Sequence, residues 1–190
     1  MNYISVTDTA KMMRKALKEA FPGIKFSVKS DKYAGGASID VHWIDGPSVA
    51  MVDSIALTFK GAYFDGMTDY KGSTYAMVNG LQTRFGADFV HCHRSHSDAA
   101  VERAIAQLTR KWGTGAMSGV TVDDFRNGRL CHRYPDDING FQDYTLQSLI
   151  HQAMYKHSFY LAPRKSATAG AVIYLGNDGY SEVGALQVAD

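Results

Sequence analysis

The sequence predicts an α+β fold: an antiparallel sheet with helices packed mainly on one face. An α-β-β-α unit opens the chain, and a C-terminal helix and β-hairpin close it. Three observations carry this reading. Residues 5–20 repeat apolar positions at helical spacing. Residues 24–29 and 38–43 each alternate apolar and polar side chains, as half-buried strands do. Two further helical stripes follow at 98–112 and 143–157.

The first helix starts where Ser5 and Asp8 take capping-box spacing. Ala10, Met13, Leu17, Ala20 and Phe21 form its apolar stripe, and Pro22-Gly23 ends it. Lys11, Arg14, Lys15 and Lys18 recur at i, i+3, i+4 and i+7, so they share a second face. In the next run Ile24, Phe26 and Val28 face one way, and Lys25, Ser27 and Lys29 the other. Residues 30–37 read as a polar connection carrying Gly35-Gly36. Beyond it Ile39, Val41 and Trp43 point inward, and Ser38, Asp40 and His42 outward. Asp45-Gly46-Pro47 signals a helix start, and Val49, Val52, Ala56 and Phe59 mark the stripe that follows.

Residues 61–86 are rich in Gly, Tyr and Met and read as a hairpin or an ordered loop. Residues 87–93 form a strand with Phe89, His91 and His93 on one face. Ser97 or Asp98 caps the next helix, whose stripe is Val101, Ala104, Ile105, Leu108 and Trp112, with Gly113 as its stop. Leu146, Leu149, Ile150, Ala153 and Met154 mark the C-terminal helix. Residues 163–170 are small and basic and read as a loop; 171–188 read as a hairpin turning at 176–179.

At 190 residues the chain suits one domain, 1–190, with a core over 1–112 and an elaboration over 113–190. Hydrophobic residues at 45% and charged residues at 21% exclude the disordered class. A net charge of +1 gives no global pull toward nucleic acid or membrane. Locally, seven Lys/Arg stand against Glu19 and Asp31 between Lys11 and Lys32. Such an excess makes a patch on a near-neutral chain. Two cysteines, Cys92 and Cys131, are no disulfide framework. The N-terminus has no apolar h-region before Lys11, and no apolar run approaches the roughly 20 residues of a membrane helix. The expectation is a cytoplasmic protein with free thiols and no membrane partner.

Four residue sets are candidates for chemistry. His91, His93 and His96 are metal-ligand types, two of them on one strand face, although their spacing matches no known zinc pattern. Cys131-His132 pairs a thiol with a base, but adjacent residues seldom present both groups to one substrate. Asp65 and Asp69 are a possible carboxylate pair, or the side chains of a turn. Lys11, Arg14, Lys15, Lys18, Lys25 and Lys29, with Tyr33 as a stacking surface, form a candidate face for nucleic acid or a protein partner. No residue set calls for a cofactor, and no phosphate-binding glycine loop is present.

Several of these segments resemble a known family. They are Tyr3 to Lys11, Ala16 to Val28, Gly35-Gly36-Ala37-Ser38-Ile39-Asp40-Val41, Trp43-x-Asp45-Gly46-Pro47 and Phe64-Asp65-Gly66-Met67-Thr68-Asp69. Together they look like a large polyvalent protein-associated domain of bacteriophages and conjugative plasmids. The likeness covers about residues 3–70 and fades toward 112. It implies action early after a mobile element enters a bacterium, against host defence or on host machinery. It carries no catalytic set. Without a fused enzymatic domain, the resemblance favours a non-enzymatic binding protein: a counter-defence factor of anti-CRISPR or anti-restriction type acting on a host complex. A nucleic-acid-binding accessory protein and a small metal-dependent enzyme using His91, His93 and His96 are the alternatives.

Overall fold

The computed structural model describes residues 1–135, 144–158 and 160–178. The fold is α+β, and its sheets are mixed in direction rather than purely antiparallel. The chain forms two compact units, which are not successive along it. The first comprises Met1–Trp43, Val49–Arg94 and the described residues from Tyr160 onward; the second comprises Ile44–Ser48 and the described residues from Ser95 to 158.

In the first unit, strand β1 (Asn2–Ile4) leads into helix α1 (Val6–Ala20). Ser5 caps α1 by accepting from Asp8 N at 3.2 Å, as the capping spacing predicts. Met13, Leu17 and Phe21 are fully buried from its apolar stripe. Strands β2 (Ser27–Tyr33) and β3 (Gly36–Ile44) form an antiparallel hairpin. The expected polar connection is shorter than residues 30–37, because the ladder continues to the pair Tyr33–Gly36. Only Ala34 and Gly35 turn the chain, with Gly35 at φ +90°, where a side chain would be strained. Helix α2 (Val49–Ala56) ends in a 3₁₀ turn, Leu57–Phe59, which keeps Val52, Ala56 and Phe59 inward.

Residues 61–86 are strand-rich: β4 (Ala62–Asp65), β5 (Tyr70–Val78) and β6 (Leu81–Phe85) follow in antiparallel succession. β1 joins β6 in parallel, giving the order β1-β6-β5-β4, and β8 (Val172–Asn177) adds antiparallel to β5. Strand β7 (Phe89–Ser95) completes a second sheet of order β2-β3-β7. Asp88 N donates to Ala37 O, and further along His42 stacks on His93, so β3 and β7 run in the same direction. Val28, Ile39, Val41 and Trp43 are buried on the inner face of this sheet, in one core with α1 and α2.

Residues 163–170, expected to be a loop, contain the short helix α6 (Ala167–Gly170). Ser166 caps it by accepting from Ala169 N. The first arm of the expected terminal hairpin is β8; its second arm lies outside the described residues.

In the second unit, α3 (Asp98–Ala116) is capped by Ser97 and broken at Gly113 (φ 85°, ψ 167°), the position read as its stop. α4 (Val122–Arg126) opens with a complete Thr121–Asp124 capping box. α5 (Leu146–Lys156) is capped by Thr145. Val101, Leu108, Phe125, Leu130, Leu146 and Ile150 are buried in its core.

Candidate binding surfaces

The hairpin register decides where the predicted site residues stand. Lys29 lies opposite Asp40, Ser27 opposite His42, and Tyr33 opposite Gly36. Paired residues project to the same side of a sheet. With Val28, Ile39 and Val41 buried beneath, Lys29, Asp31, Tyr33, Asp40 and His42 therefore share the outer face. β7 adds His91 and His93 to that face, while Val90 and Cys92 pack inward. The rings of His42 and His93 stack at 4.9 Å and 20°, and His93 Nε2 stands 3.9 Å from Asp40 Oδ1.

The histidine set read from sequence thus divides. His91 and His93 do share a face. His96 belongs to the second unit, where its Nδ1 stands 3.9 Å from Asp45 Oδ1. Among the described residues, Asp40, His42 and His93 bring one ligand atom each within 4.8 Å of one another. Cys131 and His132 are both exposed.

The basic residues also part company. Lys11 pairs with Asp8 at 2.8 Å. The Arg14 guanidinium donates to Val28 O at 2.7 Å and so attaches α1 to β2. Hydrogen bonds from Thr168 and Ser166 hold the Glu19 carboxyl below its ordinary range, and the Lys15 charge adds a smaller pull in the same direction. Lys18 and Lys25 are exposed, Lys25 just ahead of β2. Lys29 and Tyr33 stand on the outer sheet face. That face mixes Lys29 with Asp31 and Asp40, and so is not the single-sign track that a phosphate backbone favours.

A second exposed feature is the β4–β5 turn. Phe64 is 55% and Met67 97% exposed. The turn that carries them is fixed: Asp65 Oδ1 accepts from Met67 N at 2.9 Å, and Asp69 takes a left-handed φ of 51°. Asp65 is therefore a turn former, and the pair forms no site with a third ligand among the described residues. Behind this sheet, a cavity of about 500 Å³ lies between α2 and β5, lined by Asp53, Lys60, Tyr63, Tyr75 and Tyr174.

Asp45, in the Trp43-x-Asp45-Gly46-Pro47 segment, has a structural task. At φ 55° it accepts from Ser97 Oγ at 2.6 Å and from Ser97 N at 3.0 Å, and Ser97 caps α3. Burial opposes its charge, but these bonds, with His96 and Arg103 nearby, hold its carboxyl below the usual range.

Residues 4–97 match the model of one family, large polyvalent protein associated domain 29. The N-terminal half of the chain, residues 4–97, is similar to this domain. The match runs from β1 to Ser97, the residue that Asp45 holds. The segments by which the sequence resembles the family fall on the α1 cap, the passage from the end of α1 into β2, the β2–β3 hairpin, the Asp45 bend and the β4–β5 turn. The likeness therefore reads scaffold more than chemistry. No curated protein matches the chain, and no solved structure does. Among the described residues, no helix is long and apolar enough to cross a membrane.

Proposed function

We propose that this chain is a non-enzymatic binding protein of a phage or plasmid, a counter-defence factor that occludes a surface of a host protein complex in the bacterial cytoplasm. The β4–β5 turn supports the reading. Its hydrogen-bonded backbone presents Phe64 and Met67 to solvent, so the turn itself needs little further ordering when a partner covers them. Exposed methionine and aromatic side chains suit protein surfaces. Asp65 and Asp69 beside them disfavour a phosphate backbone. The test is capture of partners by tagged protein from bacterial lysate, with and without nuclease, comparing the native chain with the F64A/M67A variant. A stoichiometric host protein that survives nuclease and is lost from the variant supports the reading. Capture unchanged by the substitutions excludes this turn as the contact.

The exposed cations Lys15, Lys18 and Lys25 favour a second reading, contact with nucleic acid. It requires affinity that falls steeply with salt. K15E/K18E/K25E with unaltered nucleic-acid affinity would exclude it.

A further inference from the structure

The outer face of the β2-β3-β7 sheet brings together three ligand-type side chains from two neighbouring strands. Asp40 and His42 are two residues apart on β3 and so project to the same side. His93 reaches them from β7, its ring stacked on that of His42. One ligand atom from each residue lies within 4.8 Å of the other two. A tetrahedral zinc ion about 2.0–2.1 Å from its ligands holds them about 3.4 Å apart. The separation of 3.9 Å between His93 Nε2 and Asp40 Oδ1 approaches that distance, and ligation by both imidazoles requires the stacked rings of His42 and His93 to turn so that their in-plane nitrogens face one ion. Strands fix the three Cα positions, so only exposed side chains need to move.

We infer that Asp40, His42 and His93 form a three-ligand site for a zinc-class divalent cation. Two imidazole nitrogens and one carboxylate oxygen suit zinc better than the all-oxygen preference of calcium or magnesium. The side chains are open to solvent, with 55% of His93 and 36% of Asp40 exposed, which leaves room for water or a further donor in the fourth position. Lys29 stands opposite Asp40 on the same face and opposes a bound cation. It sets an affinity below that of the same three ligands without an ammonium beside them. The site is independent of which partner the β4–β5 turn engages.

The experiment titrates zinc into untagged, chelator-stripped protein by calorimetry, and follows histidine ring signals by NMR. One equivalent is expected. The signals of His42 and His93 should move together and saturate with it, with a smaller shift at His91, whose ring is 6.3 Å from that of His93, while those of His96, His132, His151 and His157 stay in place. D40N, H42Q and H93Q should each weaken zinc at least about tenfold, the scale on which even ligand-supporting residues act. H91Q and C131S should leave it within twofold. K29Q should tighten it about two- to fivefold, the size of a neighbouring surface charge. No saturable zinc, or zinc that is lost in C131S but kept in H42Q, overturns the site. The ring signals are read on the native chain, so a variant that fails to fold does not remove the test.

Discussion

Glu19 on α1 accepts a hydrogen bond from the backbone N–H of Thr168 at the start of α6, 149 residues further along the chain. The same carboxylate accepts from Ser166 Oγ at 2.7 Å and from Thr168 Oγ1 at 2.9 Å. One acid thus binds the cap and first turn of α6, and the backbone N–H of Thr168 is the largest influence holding its carboxyl below the ordinary range. E19A should lower stability in urea by about 1–2 kcal/mol, the scale for hydrogen bonds to a charged group after allowing for partial exposure. Loss of hydrogen-exchange protection should be greatest in α6 and β8. A carboxyl whose folded pKa is depressed contributes stability above its unfolded pKa and loses it as pH falls through the folded value. The native chain should therefore lose more stability than E19Q below about pH 4.5, the ordinary glutamate value. Parallel pH profiles for the two proteins would refute this account of Glu19.

The two thiols should differ sharply in reactivity. Burial pushes the Cys92 thiol far above its ordinary pKa, and the carboxylate of Asp53 on α2 pushes it further in the same direction. Cys131 is exposed. At pH 8 a thiol reagent should modify one cysteine per folded chain, assigned to Cys131 by peptide mass, and both in denaturant. D53N should speed labelling of Cys92 only modestly, because burial is the larger cause. Fast labelling of Cys92 in the folded native chain would contradict the packing of β7 against the core.

Asp45 and Ser97 give a prediction for the second unit. D45A removes both acceptors of Ser97 and places alanine at φ 55°. The expected loss is about 2–3 kcal/mol from the hydrogen bonds, the weakened α3 cap and the backbone strain. D45N keeps an acceptor oxygen and tolerates the left-handed backbone, so it should lose less than half of that. Thermal unfolding of the two variants checks the ratio; equal losses would mean that charge alone holds the bend.

Local signals in the sequence were enough for α1, α3 and α5, because each carries an apolar stripe together with a cap or a stop; α2 was legible from its stripe, but it starts at Val49, beyond the expected Asp45-Gly46-Pro47 signal. The β2–β3 pair was visible in its alternation, although not its full length, since Lys29 to Tyr33 are exposed on both faces and carry no apolar period. The β4–β6 meander was not legible as strands: Gly72, Tyr75 and Met77 interrupt the alternation, and the parallel pairing of β1 with β6 depends on contacts about eighty residues apart. For the site, alternation placed Asp40 and His42 together and His91 with His93. That β7 lies beside β3 and brings the pairs into register is a non-local fact of topology. Helical spacing likewise gathered Lys11, Arg14, Lys15 and Lys18, but gave no sign that Arg14 binds Val28 O across the edge of β2.

Gly61 joins α2 to β4 at a point of close backbone approach. Its N–H donates to Ala87 O at 2.8 Å, and its carbonyl accepts from Thr74 N at 3.0 Å. A Cβ at this position would collide with the carbonyl oxygen of Phe85. The obstacle is backbone in β6, not the end of a movable side chain, so relief requires β6 to shift against β5 or both Gly61 hydrogen bonds to lengthen. G61A should therefore destabilise the protein by about 2–3 kcal/mol, the upper part of the range for overpacking. Gly170 provides the contrast within the same unit. It ends α6 with no heavy atom within 4 Å of an added Cβ, so G170A should be neutral or stabilise by up to about 1 kcal/mol. Urea denaturation of both variants separates the two cases. A G61A protein as stable as G170A would mean that the approach of Gly61 to Phe85 is looser than the geometry requires, and that the junction between α2 and the sheet does not depend on a missing side chain.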